Sequence, residues 1–231
     1  MPVDEHMPAR EHLQDDPSLP QLSSQLVTII TTEHYNLQMG RAMTVADTNG
    51  RSTLFIGAVS GALIAIAFTG QVSRMGMAFF VFSLVLLPSL FLMGLITFER
   101  VLQSAIEDLT YARGIMRIRR LYLESAPQLH PYFLLAANDE RRRPTLKVGL
   151  HPSWWQVFLT TAGMIAAINS VLVGVFVGLL LSALFNFPLL VCTSAGVLTF
   201  LVSLGLHQRY QWGQWRRLEQ DLATLVEARR T

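Results

Sequence analysis

The chain is 231 residues long, 51% hydrophobic and 15% charged, with a net charge of +2. Charged residues make up roughly 25% of ordinary soluble domains, so this composition excludes a typical water-soluble globule. It gives no reason to expect nucleic acid as a partner, and the single cysteine, Cys192, excludes an intramolecular disulfide.

Residues 1–20 are rich in proline and acid and lack periodicity, the pattern of a disordered tail. They hold no apolar core of a signal peptide. His6, His12, Asp15 and Asp16 match no metal-site spacing and read as solvated. Residues 21–52 form a predicted cytoplasmic helix, with Ser23 and Ser24 as caps and Leu26, Ile29, Ile30 and Leu37 at helical spacing. Asp47, Asn49 and Gly50 either break that helix before the membrane or are carried through it, since one glycine costs only about 1 kcal/mol.

Four apolar blocks follow, at 53–69, 75–98, 157–185 and 187–206, and none contains Asp, Glu, Lys or Arg. A spanning helix needs roughly 17–25 apolar residues. Helices of a soluble bundle would need a charged stripe facing water, and these have none. Residues 53–98 and 157–206 are therefore expected to hold two membrane-spanning helices each. With no ionisable residue expected in any span, a proton relay or charged-substrate pump is not expected.

Between the second and third blocks, residues 99–156 begin as an amphipathic helix continuing the second span. Pro127 and Pro131 end it. The segment "YFLLAAN", the charged loop "DERRRP" and an interfacial Trp154–Trp155 pair follow. Residues 207–231 form a last cytoplasmic helix, with Trp215, Leu218, Leu222 and Leu225 on one seam. Of eighteen Lys and Arg, seventeen lie outside the two short turns, and Arg74 alone lies within one. The positive-inside rule then places both termini in the cytoplasm of a plasma membrane.

Small residues recur at every fourth position in the first span (Gly57, Gly61, Ala65) and the third (Ser170, Gly174, Gly178). Such stripes let helix backbones approach in lipid, so both are expected to pack tightly, with each other or between subunits. Asn169 is the most polar residue of a span, expected either to make an interhelical hydrogen bond assisted by Thr160, Thr161 or Ser170, or to contact a pore or substrate. Pro88 and Gly94 are candidate kink positions.

The polar cluster Glu33, His34, Asn36, Asp47, Asn49 and Arg51 has no HExxH order, and no phosphate loop, nucleophile elbow or Cys/His pattern occurs elsewhere. No catalytic residue, metal or cofactor is expected, and the cluster is predicted to face the arginines within 113–120.

From "TTEHYNLQMGRA" through "ADTNGRSTLFIGAVSGALIA", and again at "FERVLQSAIEDLTYARGIMRIRRLYLE", the chain resembles a family of actinobacterial four-span membrane proteins with no assigned function. More distantly, the helix feeding "ADTNGRSTLFIGAVSG" is similar to the Pycsar-type and SLATT-type membrane modules of bacterial defence, which have two spans. That likeness implies a membrane-disrupting effector and transfers no catalytic residue.

The expectation is an all-α integral membrane protein with four transmembrane helices and a cytoplasmic layer of amphipathic helices. It predicts an oligomeric channel or pore-type effector with a cytoplasmic gate, its partners being the bilayer and further copies of itself. The alternative is a non-transporting scaffold or signalling partner of a cytoplasmic protein.

Overall fold

The computed structural model describes residues 23–133, 160–185 and 187–228. The tail at 1–20, most of "YFLLAAN", the "DERRRP" loop, Trp154 and Trp155 lie outside the described residues. Four α-helices account for nearly all of what is described: α1 Ser24–Val72, α2 Met77–Ser125, α3 Thr161–Phe185 and α4 Leu189–Ala228. A short 3₁₀ segment, Pro127–Tyr132, follows α2. There is no strand among the described residues.

All four helices are long and apolar enough to cross a membrane. Their outward side chains are apolar too: Leu54, Ile64, Leu189 and Leu190 are 71–83% exposed. Helices α1 and α2 have 49 residues each. At 1.5 Å per residue each is roughly 74 Å long, more than twice the roughly 30 Å of a bilayer's hydrocarbon core.

Ser23 caps α1, its hydroxyl accepting from Leu26 N–H. The helix then runs without a break through Asp47, Asn49 and Gly50. It ends in a Schellman-type cap: Met75 N–H donates to Gly70 C=O at 2.9 Å and Arg74 N–H to Gln71 C=O at 3.3 Å. Arg74 and Met75 both take left-handed conformations, φ 50° and 59°, where glycine would ordinarily stand. Buried Gly70 receives Met75 and Phe79 against its Cα, and α2 starts at once in the opposite direction.

The resulting hairpin is paired along its length. Phe55 lies against Gly94, Gly40 against the Tyr111 ring, Leu37 against Gly114, and His34 near Tyr122. Val101, Leu102, Leu109, Ala112, Ile115 and Met116 form the buried stripe of α2 in its second half. Arg41 adds a cross-helix ion pair, Nε to Asp108 Oδ1 at 2.8 Å. With Asp108 only 17% exposed and Arg41 42% exposed, that pair is worth at most about 1 kcal/mol. It secures register more than stability. Helix α2 ends at Ser125, ahead of Pro127.

Helices α3 and α4 make a second hairpin that packs on α2. The second half of α3 and the first half of α4 meet backbone to backbone. A Cβ on Gly174 would come 2.7 Å from Gly196 O, and one on Gly178 would come 3.2 Å from Cys192 O. The small-residue stripe of the third helix therefore packs on α4 and not on α1. In α1, Gly57 and Gly61 have nothing within 4 Å of a Cβ position. The two stripes do not meet within one chain, because the buried side of α1 carries Phe55, Val59 and Ala62 instead.

Replacing Gly174 by Ala should cost about 1–3 kcal/mol, because its new methyl meets backbone that cannot rotate away. Gly205→Ala, at a glycine with open space around it, should be neutral or stabilising by up to about 1 kcal/mol. Thermal unfolding of both variants in detergent checks the contrast.

Candidate functional site

The largest concentration of buried polar groups lies where all four helices meet. Asn169, on α3, is completely buried. Its room comes from Gly94 on α2, where a Cβ would collide with the Asn169 carboxamide oxygen. A Cα hydrogen of Gly94 therefore points at Oδ1, an oxygen with no hydrogen-bond partner among the described residues. Phe55 of α1 closes the other side of Gly94, with its Cζ 3.0 Å from the same Cβ position.

The amide nitrogen of Asn169 faces α4, 3.5 Å from Nε2 of His207, at the outer edge of hydrogen-bond reach. His207 is buried and its Nδ1 lies 2.8 Å from the Ser203 carbonyl. A carbonyl can only accept, so Nδ1 carries the hydrogen. In the neutral ring Nε2 then holds a lone pair that accepts from Asn169. Phe98 of α2 packs edge-on against the imidazole at 4.9 Å.

Two further rungs make this a ladder between α3 and α4. Ser170 Oγ lies 3.1 Å from Ser203 Oγ and also donates to the Ala166 carbonyl at 2.7 Å. Gln211 Nε2 donates to Thr160 Oγ1 at 3.4 Å. Gln211 is 1% exposed, and its Oε1 has no partner among the described residues. Ser203, His207 and Gln211 recur every fourth residue and so share one face of α4. The α3/α4 seam is therefore polar toward the start of α3 and glycine toward its end.

The bond from Asn169 thus crosses between helices, as expected, but its partner is His207. Thr160 and Ser170 serve other rungs. His207 lies just past Leu206, where the apolar run ends, on the same unbroken helix α4. The signal in the sequence was the four-residue spacing of Ser203, His207 and Gln211, which crosses the end of the apolar block.

The polar cluster of α1 is not one site. Asp47 binds Arg51 one turn on, at 2.8 Å. That ion pair, with Arg100 and Ser104 of α2 nearby, holds the Asp47 carboxyl below its ordinary value. His34 comes near one of the predicted arginines, Arg119. Partial burial, and then the charge of Arg119, lower its pKa from the ordinary 6.5. Gln38 Nε2 lies 2.7 Å from His34 Nε2, and since an amide NH₂ only donates, that ring nitrogen accepts. Glu33, Asn36 and Asn49 are exposed. The cross-helix pairing was carried by Arg41 and Asp108, which the cluster did not single out as a pair. Among the described residues no group of three or more His, Cys, Asp or Glu is placed to hold a metal.

Two outcomes follow for these groups. Asn169→Leu and His207→Leu should each cost about 1–3 kcal/mol by stranding a buried partner. The double variant should cost less than their sum by about 1 kcal/mol, read from a double-mutant cycle of unfolding in detergent. For His34, a folded-state pKa below the unfolded value means its contribution is full above pH 6.5 and is lost as pH falls below it. Protection of the amides near His34 and Tyr122, taken relative to the intrinsic exchange rate at each pH, should therefore fall on acidification, and His34→Gln should blunt the change.

No protein-family model, curated protein or solved structure matches this chain.

Proposed function

We propose that the protein is a multi-pass membrane protein of pore-forming effector type, built from several copies, with both termini in the cytoplasm. In this reading the paired segments 24–51 and 98–125 form a cytoplasmic stalk, and the stalk is the gate. The orientation follows from the basic residues, seventeen of eighteen of which lie on that side of the apolar blocks. The effector class follows the likeness of the α1 lead-in to membrane modules of bacterial defence.

One observation carries the gating reading: α2 is a single helix from Met77 to Ser125. The same rigid element bears the stalk contacts at Asp108, Tyr111 and Tyr122 and the junction with Asn169 and His207 at Gly94 and Phe98. A displacement of the stalk is thereby imposed on the place where both hairpins join. The centre of one chain is filled, with Ile165, Ala166, Asn169 and Ser170 at 0% exposure. A passage would run between copies.

A second reading, a scaffold for a cytoplasmic protein, is favoured by the stalk's length, which a passage alone does not require. The charged side chains Arg100, Glu107 and Arg117 on α2 would offer such a partner its contacts.

Purified protein in sealed liposomes should release an entrapped small ion or dye at least tenfold faster than empty liposomes. Gly94→Leu, which would force α2 from α3, should change that rate. Liposomes that stay tight with the assembled protein would leave the scaffold reading.

A further inference from the structure

We propose that α1 is the seam between copies of this chain, two α1 helices lying parallel with each residue of the seam against its own counterpart.

The side of α1 opposite its buried face carries Tyr35, Met39, Met43, Gly50, Gly57 and Gly61, spaced four or seven residues apart along one face. All six are exposed. The face ends near Ile64 and Phe68, 71% and 66% exposed. It is uncharged throughout, because Glu33, Arg41, Asp47 and Arg51 project elsewhere around the helix.

The occupant is identified by where this face runs. In the segment 24–51, read above as lying in water, Tyr35, Met39 and Met43 are 61%, 47% and 66% exposed. An apolar row of that kind in water marks a contact surface. The same face continues past residue 53 into the part that lipid surrounds, where it turns to glycine. Lipid can cover only the second part, and a soluble partner only the first. A second copy of this chain covers both, because it has the same span and the same stalk at the same heights.

The chemistry fits a parallel pair. Copies inserted in one membrane share an orientation, so residues on the seam meet themselves. A charged residue there would meet its like, and the face has none. Gly50, Gly57 and Gly61 have nothing within 4 Å of their Cβ positions, so one side of the backbone is bare for close approach of a neighbour.

This proposal rests on the oligomeric, stalk-out reading above, and its test separates the two. The full chain with Cys192→Ser carries a single new cysteine at Met43 or Ala46 on the seam, or at Val45, which is 50% exposed but points away from it. Oxidative cross-linking in intact membranes should give at least tenfold more disulfide dimer with Met43→Cys and Ala46→Cys than with Val45→Cys. Equal yields, or more from Val45→Cys, overturn the seam. Adding Gly57→Leu to Met43→Cys should cut the dimer yield at least tenfold. A Cβ at Gly57 has nothing within 4 Å among the described residues, so unchanged cross-linking overturns the continuity of seam and span. Seam-specific dimers with tight liposomes would sink the pore reading and keep the seam. Leaky liposomes without seam-specific dimers would do the reverse.

Discussion

The close approach of α2 to α3 at Gly94 is the constraint on which the four-helix arrangement depends. An amide side chain buried at the middle of an apolar bundle needs space on one side and a hydrogen-bond partner on the other. Gly94 supplies the space and His207 the partner, while Phe55 packs at Gly94 and Phe98 against His207. Each of the four residues around Asn169 belongs to a helix other than α3. The site therefore registers four elements against one another, which apolar side chains alone specify poorly because they pack acceptably in many offsets.

The two hairpins solve the problem of helix association by different chemistry. Along the second, α3 and α4 combine a polar ladder with bare backbone contact, both suited to a lipid surrounding in which hydrophobicity gives no preference for a helical neighbour. Along the first, α1 and α2 interlock aliphatic and aromatic side chains and, farther out, the Arg41–Asp108 pair. Helix α2 belongs to both systems, buried by α1 along one stripe and by α3 near Gly94.

Much of this was legible in the sequence. Uncharged blocks of sufficient length marked four spans, and Pro127 marked the end of α2. Gly174 and Gly178 announced close packing, and Asn169 announced a bond across helices. What periodicity cannot show is which neighbour receives a given face. Gly57 and Gly61 looked equivalent to Gly174 and Gly178, yet only the latter are covered within the chain, because large residues at Phe55 and Val59 already define the side of α1 that α2 takes. His207 escaped because an apolar block was allowed to end where its hydropathy ended. A helix carries its register past that point, and a buried face continues with it. Arg41 and Asp108 are sixty-seven residues apart, and their meeting follows from the turn at Ser73–Gly76, which no local pattern foretells.

That turn sets a rule for how such a chain can change. Two non-glycine residues in left-handed conformations leave it little slack, so pairing is counted outward from it in step along both helices. One residue added to α1 alone beyond the bilayer would advance everything farther out by about 1.5 Å and rotate it by roughly 100°. Gly40 would lose Tyr111, Leu37 would lose Gly114, and Arg41 would lose Asp108, all together. The length of this paired segment behaves like a toothed coupling. It can grow or shrink only by matched increments on both helices, near a whole number of turns, for which seven residues is the smallest close fit.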